Sequence, residues 1–305
     1  MRALPSCPCS LNRFNMNVVS EKAYAKINIS LDVTARRPDG YHDMLMVMQT
    51  VSLCDDIDIS LTENQPSRAE CNLHFVPTDE RNLAVRAANA FFEAAGIENK
   101  GAVIKMFKRI PVGAGMAGGS SDAAAVLRGL NRLCGHPFDK DGLCALAEKI
   151  GSDVPYCICG GTMLAKGRGE ILSPLPPISD CHFVICKPDF STSTPELFRK
   201  LDSIRLKCHP DTEGIIEALE KGDITKLARR MYNVFEDVPD RRHSTVSEIK
   251  STMLDCGALG SVMTGTGSAV FGIFPDETSA ARACEELKKE YRLCCTAKNQ
   301  PQLDV

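Results

Sequence analysis

The sequence predicts a two-domain α+β protein. With 305 residues, the chain is long enough for two domains with separate hydrophobic cores. Strand and helix patterns both recur along the chain, and they predict helices packed on an antiparallel sheet in its C-terminal part. The strongest candidate for a boundary between the two domains is the proline-rich stretch that contains Pro174, Pro176 and Pro177. We therefore predict an N-terminal domain over residues 17–175 and a C-terminal domain over residues 176–305.

The composition disfavours several classes of function. Hydrophobic residues make up 44% of the chain and charged residues 25%, as in ordinary globular proteins. The net charge of -3 does not predict a basic surface that binds nucleic acid. No apolar run approaches the ~20 residues that a membrane span needs. We therefore expect a soluble protein that binds neither nucleic acid nor a membrane.

The fifteen cysteines contain no C-x-x-C pair, which predicts reduced thiols in the cytoplasm and not a disulfide framework. The alternative is a zinc site, but the spacing of its candidate ligands fits no usual pattern. Those candidates are Cys157, Cys159, Cys181 and His182.

Residues 1–16 contain Arg2 and Arg13, no acidic residue, and a second methionine at Met16. The segment is either a trimmed organelle-targeting remnant, a tail or the product of an upstream start codon, and it has no apolar core for secretion. We predict a disordered tail.

The first predicted strand covers residues 23–33, where apolar and polar side chains alternate in a pattern typical of a half-buried strand. Lys26 and Asn28 share its polar face, which faces either water or a cleft. Pro38-Asp39-Gly40 predicts a hairpin turn, and the apolar run over residues 44–53 predicts a strand covered on both faces.

Tyr41 and His42 follow that turn. Two neighbouring aromatic rings can stack on a base and bond to its edge, or they can close the end of a hairpin. Further on, residues 62–81 read as a polar loop with a short strand over residues 73–76, and Asn82 can cap a helix from Leu83 to Ala95.

The stretch from Pro111 to Ala125 is rich in glycine and serine. It lies between a predicted strand over residues 102–110 and a helix that begins at about Ser121. Glycine lets backbone amides approach a ligand closely, and a helix N-terminus adds unpaired N–H groups, so the stretch predicts a phosphate cradle.

Gly113, Gly115 and Gly118 also satisfy the dinucleotide pattern G-x-G-x-x-G. That pattern requires a following strand that ends in an acid, whereas Asp139 opens a helix. A Walker motif is excluded because no lysine follows the loop, and the protein-kinase motifs H-R-D and D-F-G are absent.

A helix capped near Asp139 is expected to end at Ile150. Pro155 then biases Val154 to an extended conformation, so we expect Asp153 on a short rigid loop outside any helix. An aspartate there either satisfies nearby backbone amides or serves the phosphate chemistry.

The C-terminal part contains a predicted strand over residues 182–187 and a tight turn at Gly265-Thr266-Gly267. The other predicted elements are helices near residues 196–201, 213–221, 224–235, 245–256 and 277–291, and strands over residues 261–264, 268–274 and up to 298.

The stretch P-V-G-A-G-M-A-G-G-S-S-D-A-A resembles the central ATP motif of the GHMP kinases. Six motifs of this family occur in the expected order over residues 23–271, which is far more specific than the glycine loop alone. The other five are A-Y-A-K-I-N-I-S-L, R-P-D-G-Y-H, G-S-D-V-P, N-V-F-E and M-T-G-T-G-S-A-V-F.

The resemblance implies a two-domain GHMP kinase fold. Its N-terminal domain would be ribosomal protein S5 domain 2-like and its C-terminal domain ferredoxin-like, with ATP and the acceptor bound between them. The motifs are most similar to the branch whose acceptor is 4-diphosphocytidyl-2-C-methyl-D-erythritol, so the expected reaction is Mg-ATP-dependent phosphorylation of its 2-hydroxyl in the non-mevalonate isoprenoid pathway. Two alternatives remain: another small alcohol as acceptor (mevalonate-, homoserine- or sugar-like), or a nucleotide-binding module without catalysis.

The resemblance also assigns roles to residues. Asp153 would be the base, Lys26 would neutralise charge beside it, and Asn28 would contact the acceptor. Tyr41 and His42 would hold the cytosine, with Phe198 on its other side. Gly265 and Gly267 would complete the floor of the site. The residues that would bind ATP are Pro111, Gly113, Ala114, Gly115, Met116, Ala117, Gly118, Gly119, Ser120 and Ser121.

Met116 and Ala117 replace the leucine and first glycine of the usual family loop. A positive φ at Ala117 would carry ~1 kcal/mol or more of strain, so we expect a negative φ there. The chemistry of phosphoryl transfer predicts Mg²⁺. Its ligand could be Ser120, Ser121 or water alone, and the sequence does not decide between them. A monomer or homodimer is expected.

Overall fold

The computed structural model describes residues 18–206 and 208–304. The predicted tail over residues 1–16 lies outside the described residues. The strands are, in chain order, β1 Val18–Arg36, β2 His42–Glu63, β3 Arg68–Cys71, β4 Lys100–Phe107, β5 Thr162–Gly167, β6 Ile171–Pro174, β7 His182–Lys187, β8 Tyr232–Asn233, β9 Gly260–Met263, β10 Val270–Phe274 and β11 Leu293–Lys298.

The helices are α1 Leu83–Ala94, α2 Gly118–Leu133, α3 Lys140–Glu148, α4 Val154–Cys159, α5 Thr194–Leu201, α6 Thr212–Glu220, α7 Ile224–Ala228, α8 His243–Asp255 and α9 Glu277–Lys288, with a 3-10 helix at Val234–Asp237. Asn82 caps α1 as predicted, since its side chain accepts from the N–H of Ala84.

The strands form two sheets. A seven-stranded sheet has the order β3-β4-β2-β1-β8, and β5 pairs with β2 and carries β6. A four-stranded antiparallel sheet has the order β11-β7-β10-β9. The predicted division at residue 175 falls between β6 and β7 and stays a prediction, but the mixed helix and sheet architecture is confirmed.

The long β1–β2 hairpin organises the first sheet. Its antiparallel pairing runs from Val18 opposite Ser60 to Arg36 opposite His42, so the predicted hairpin turn is confirmed. The prediction that β1 is only half-buried is wrong, because Lys26 is 4% exposed and Asn28 is fully buried. The polar face of β1 is covered by the glycine-rich loop before α2 and by the turn after β9.

Two hydrophobic cores flank β1. One contains Leu31 and Phe91 and extends from the first sheet, α1 and α2 to the second sheet, α8 and α9. The other lies between β1 and the second sheet, where Ile27 and Ile29 share a cluster with Phe271. Burial of such side chains contributes roughly 1.5–3 kcal/mol each, so the two sheets stabilise each other through β1.

Two predicted elements are wrong. The short strand expected over residues 73–76 lies earlier, at β3. The helix expected over residues 224–235 ends at Ala228, and the chain then forms β8, which pairs in parallel with β1 at Ser30 and Leu31. Asn233 explains this path, because its side chain donates to the carbonyl oxygens of Met263 and Gly265 and accepts from a backbone N–H, bonds that a helix interior does not offer.

A buried ionic cluster fixes the start of α2. Lys108 Nζ lies 2.5 Å from Asp55 Oδ2 and 2.5 Å from Asp122 Oδ2. Asp55 also accepts from the backbone N–H groups of Arg109 and Ile110. Burial raises the pKa of Asp122 to about 7, since one ammonium group serves two carboxylates and Asp122 Oδ1 has no hydrogen-bond partner among the described residues.

The raised pKa predicts a stability that falls with pH. Unfolded Asp122 loses its proton near the ordinary pKa of about 3.9, whereas folded Asp122 holds it up to about pH 7. Unfolding therefore releases a proton between these values, so the free energy of unfolding falls as pH rises through this window. We expect Asp122→Asn to gain stability relative to wild type by at least about 1 kcal/mol between pH 5 and pH 7.5, measured by urea denaturation.

Asp56→Asn is the matched control. Arg109 and Lys22 lower the pKa of Asp56 to about 2, so its stabilising contribution is present above about pH 4 and is lost only as pH falls towards 2. The effect of Asp56→Asn on stability is therefore constant between pH 5 and pH 7.5.

Lys108 does not titrate in this range either. Burial lowers the pKa of Lys108, but Asp55 and Asp122 raise it by more, so the net shift is upward. The stability that Lys108 contributes is therefore lost only above about pH 10.5. Parallel pH profiles of wild type and Asp122→Asn would contradict the prediction.

The packing of α2 on the hairpin depends on Gly129. A Cβ at this position would lie 2.3 Å from Ile59 Cδ1 and 3.0 Å from Val19 Cγ1. We expect Gly129→Ala to lower the free energy of unfolding by roughly 1–3 kcal/mol, although alanine has the higher helix propensity.

Gly119→Ala is the control within the same helix. Its Cβ would meet only Leu83 Cδ1, at an ordinary 3.6 Å. This change should be neutral or stabilise by up to about 1 kcal/mol. Equal effects of the two substitutions in chemical denaturation would show that propensity, not packing, decides at residue 129.

Candidate functional site

A cavity of about 690 Å³ opens between the two sheets. We call it the central cavity. Its wall combines the β1–β2 hairpin, the glycine loop before α2, the residues before α4, the first turns of α5 and the turn between β9 and β10. An outer cavity of about 400 Å³ lies against the glycine loop and α1. Gly113, Gly115, Ala117 and Ser120 line both cavities, so the loop separates them.

Lys26 and Asp153 meet in the central cavity. Lys26 Nζ lies 4.0 Å from Asp153 Oδ2, and the side chain of Lys26 is 5% exposed whereas that of Asp153 is 34% exposed. Lys26 Nζ also donates to Asn28 Oδ1 at 2.7 Å. The structure thus brings together two residues that are distant in sequence and leaves the carboxylate accessible from the cavity.

Asn28 lies beneath the cavity and does not line it. Its Oδ1 accepts from Lys26 Nζ and from the backbone N–H of Gly265 at 3.1 Å, and its Nδ2 faces Met46 Sδ at 3.4 Å. The expected contact of Asn28 with an acceptor is not what this geometry shows. Asn28 instead connects the ammonium group of Lys26 to the glycine turn.

Asp153 directly precedes α4. The prediction that the chain stays outside a helix here is wrong, because α4 begins at Val154 and Pro155 occupies its first turn, where a missing N–H costs nothing. The side chain of Asp153 makes no capping bond. The buried Tyr156 fixes α4 by hydrogen bonds to Thr50 and to the carbonyl of Gly161, so Asp153 stands on a rigid support.

The glycine loop and the turn after β9 touch each other. A Cβ on Gly115 would lie 2.2 Å from the carbonyl oxygen of Thr264, and a Cβ on Gly265 would lie 2.6 Å from that of Gly115. Both residues have positive φ. Glycine is therefore required on each side of this contact.

Ala117 has a φ of 56°, so the expected negative φ is wrong. The left-handed conformation costs ~1–2 kcal/mol for an alanine. It is held by the neighbouring backbone, since Lys26 N–H donates to the carbonyl of Met116 and Ser121 N–H donates to that of Ala117. Helix α2 consequently begins at Gly118, earlier than predicted.

The two serines of the loop differ. Ser120 lines both cavities. Ser121 is 1% exposed and its hydroxyl donates to the carbonyl of Tyr24 at 2.6 Å, so its side chain faces the core. The unpaired N–H groups at the start of α2 and the positive end of its dipole lie between the cavities, an arrangement that suits a phosphate chain.

Aromatic side chains line the part of the central cavity near the hairpin turn. Tyr41 is 57% exposed, and the guanidinium of Arg168 lies 5.4 Å from its ring centroid. His42 stacks on Phe198 with ring centroids 4.6 Å apart, and Phe198 meets Phe235 edge-on. All three predicted aromatic residues line the cavity, but Phe198 covers a face of His42.

The sequence analysis missed several charged residues of this cavity, among them Asp202, Arg36 and Arg168. The one available signal was the spacing of Asp202, four residues after Phe198 and thus on the same face of α5. Within residues 18–206 and 208–304, no three His, Cys, Asp or Glu side chains form a metal-binding group. In the same part of the chain, no helix is long and apolar enough to cross a membrane.

Two family models match the chain: the GHMP kinases N terminal domain over residues 82–161 and the GHMP kinases C terminal domain over residues 215–293. A 4-diphosphocytidyl-2-C-methyl-D-erythritol kinase of Lachnoclostridium phytofermentans is 44% identical over 273 residues, which cover 90% of this chain and 94% of the relative. One of the same name from Clostridium perfringens is 46% identical over 271 residues, covering 89% and 94%.

The comparison with solved structures gives the same family as the comparison with sequences. The crystal structure of a 4-(cytidine 5'-diphospho)-2C-methyl-D-erythritol kinase has a TM-score of 0.76 and 33% identity and covers 92% of this chain and 99% of that chain. A homoserine kinase from Cytophaga hutchinsonii has a TM-score of 0.72 at 19% identity, covering 94% and 95%, and shows the fold alone. The predicted family and fold are thereby confirmed: the chain belongs to the GHMP kinases and, within them, to the 4-diphosphocytidyl-2-C-methyl-D-erythritol kinase family.

Proposed function

We propose that this chain transfers the γ-phosphoryl group of ATP to the 2-hydroxyl of 4-diphosphocytidyl-2-C-methyl-D-erythritol, in the non-mevalonate route to isoprenoids. The observation that carries the reaction is the Lys26–Asp153 pair in a cavity bounded by a glycine loop. The acceptor is named after the relatives that are 44–46% identical over about nine-tenths of the chain.

Asp153 is the general base in this proposal. Its carboxylate accepts the proton of the 2-hydroxyl as the hydroxyl oxygen bonds to the γ-phosphorus and the bond to ADP breaks. Lys26 is buried beside it and anchored by Asn28, so its ammonium group is fixed before the substrates bind. A fixed cation stabilises the negative charge of the transferred group without the cost of reorienting water.

The glycine loop binds the phosphates of ATP. The loop separates the two cavities, so the nucleoside of ATP can occupy the outer cavity while its γ-phosphate faces Lys26 and Asp153. Mg²⁺ would be held mainly by phosphates and water, since it keeps several waters and needs few protein ligands. Ser120 is the loop hydroxyl that fits this ion, because the hydroxyl of Ser121 is already bonded in the core. When bound, Mg²⁺ supplies positive charge to the transferred group.

The cytidine of the acceptor binds near the hairpin turn. Tyr41 offers an exposed ring on which a base can stack, and His42 offers a ring nitrogen for its edge. Leu31, Met44 and Met46 also line the cavity and offer an apolar wall for the methylerythritol chain.

We also propose that the protein works in the cytoplasm. The cysteines of the described residues are free thiols, as in a reducing compartment. Because one chain lines the whole central cavity, a monomer can form a complete site. We therefore propose a monomer or a homodimer.

The proposed reaction predicts a defined product. Purified protein with Mg-ATP and 4-diphosphocytidyl-2-C-methyl-D-erythritol should give a new phosphomonoester in phosphorus NMR, with ADP formed in equal amount. Mevalonate, homoserine and galactose should give kcat/KM values at least about 10³-fold lower, because they leave the aromatic part of the cavity empty. Asp153→Asn gives the background rate.

Three outcomes would contradict this. Turnover of one of the other alcohols in preference would assign a different acceptor within the GHMP kinases. Tight ATP binding without turnover of any acceptor would support a binding module. Normal turnover by Asp153→Asn would remove Asp153 from the role of base.

Lys26 should act on the transferred group more than on binding of ATP. We expect Lys26→Met to lower kcat about 10²–10³-fold while the KM for ATP changes less than about threefold. Lys22→Met is the control on the same strand, since Lys22 is 54% exposed and pairs with Asp56 outside the cavity. Steady-state kinetics test both, and a parallel loss of kcat and of ATP affinity in Lys26→Met would place Lys26 in simple nucleotide binding.

A further inference from the structure

The imidazole of His42 is fixed by Phe198 of α5 and by Asp202, which caps the C-terminus of this helix. Asp202, which follows the last turn of this helix, places Oδ1 2.7 Å from His42 Nε2. Phe198, one turn earlier, stacks on the ring at 4.6 Å with an angle of 25° between the planes. The side chain of His42 is 8% exposed, so both contacts are made by a buried ring.

The contact with Asp202 determines which nitrogen of His42 carries the proton. An ionised carboxylate only accepts hydrogen bonds, so Nε2 must donate. Arg36 Nε lies 3.7 Å from the second oxygen of Asp202 and forms an ion pair with the same carboxylate. In the neutral ring, Nδ1 is then the unprotonated nitrogen, since Asp202 contacts the ring through Nε2.

His42 lines the central cavity, and an unprotonated Nδ1 on its ring can accept a hydrogen bond from a ligand. Cytosine presents an amino group at C4, which donates, whereas uracil presents a carbonyl oxygen there, which accepts. The cytosine amino group can therefore pair with Nδ1, while the uracil oxygen would oppose its lone pair. A site built to bond one of two such groups rejects the other strongly.

We propose that Asp202 is a positioning residue that makes the enzyme select cytidine over uridine in its acceptor, by holding His42 in the Nε2–H form. This inference rests on the proposed function, because it concerns the base of the diphosphonucleoside acceptor. Asp202 acts through His42 and does not touch the base.

A simpler role for Asp202 is to tie the hairpin turn to α5. That role would affect stability and would weaken all acceptors to the same degree. The ratio of two acceptors that differ only at C4 of the base separates the two roles, because only a change in the proton arrangement of His42 alters this ratio.

The first test is spectroscopic and needs no substrate. The protein labelled with ¹⁵N at its six histidines gives imidazole spectra in which protonated and unprotonated nitrogens have distinct shifts, and His42→Gln identifies the signals of His42. We expect wild-type His42 with Nε2 protonated and Nδ1 unprotonated at pH 8. A ring with Nδ1 protonated, whether or not Nε2 is also protonated, would overturn the proposal.

The second test compares cytidine- and uridine-diphosphate methylerythritol as acceptors. In Asp202→Asn an amide group can either accept from Nε2 or donate to it, so His42 can take both neutral forms. We expect the cytidine-over-uridine ratio of kcat/KM to fall at least about tenfold. The loss should appear in the KM for the cytidine acceptor, with the KM for ATP unchanged.

Glu196→Gln is the matched control. Glu196 lies on α5, carries the same carboxylate-to-amide change, and pairs with Lys200 outside the cavity. It should leave the ratio unchanged. Thermal unfolding of both variants confirms that α5 remains folded.

The dissociation constants of both acceptors, measured by calorimetry without ATP, separate the two proposals. If wild type neither binds nor phosphorylates the cytidine acceptor, the proposed function fails, and this inference with it. If wild type prefers cytidine and Asp202→Asn retains the full ratio, only the role of Asp202 is overturned. An equal loss of kcat/KM for both acceptors in Asp202→Asn would show that Asp202 only connects the hairpin turn to α5, which would also overturn its proposed role.

Discussion

The hydrogen bonds of the buried Asn28 are the constraint on which the rest of the site depends. Its amide oxygen accepts from Lys26 and from the backbone of Gly265, and Thr264 adds a bond to the backbone N–H of Asn28. One side chain thus fixes both the ammonium group of Lys26 and the turn between β9 and β10. An unpaired amide at this depth would cost several kcal/mol, so the strand and the turn are held together as one unit.

The same constraint gives the proposed reaction two separate cavities for its two nucleotides. The glycine loop is in contact with that turn at Gly115, and together they form the wall between the central and outer cavities. In the proposed reaction, the donor and the acceptor therefore approach the Lys26–Asp153 pair from different sides. Specificity for each nucleotide can be built into separate residues because only the phosphates are shared.

Much of this arrangement was predictable because it is local. Alternation along β1 placed Lys26 and Asn28 on one face, and the turn signal placed Tyr41 and His42 at the end of a hairpin. The helix start after Asp153 was missed because the rule that a residue before proline avoids helix was applied where Pro155 lies in a first turn. At Ala117, local strain favoured the wrong φ, since the opposing hydrogen bonds come from β1 and from α2.

The remaining features depend on contacts between distant parts of the chain. Lys108, Asp55 and Asp122 have no spacing that reveals their cluster, because three separate elements bring them together. The contact of Asp202 with His42 spans 160 positions. A pattern in a single sequence reports the faces of an element but not which faces meet, so the residues that position others are the ones that sequence reasoning missed.

β8 has a consequence for how the chain can be divided. This two-residue strand comes from the C-terminal half but pairs with Ser30 and Leu31 in the middle of β1. The backbone beyond β11 also returns to the first sheet, where the N–H of Gln300 donates to the carbonyl of Thr50. A fragment that stops at residue 175 would leave β1 as an open edge with Ile27 and Ile29 uncovered, which is the kind of strand that recruits other chains and aggregates. The two halves therefore share backbone pairing and a hydrophobic cluster, even though their sheets are separate.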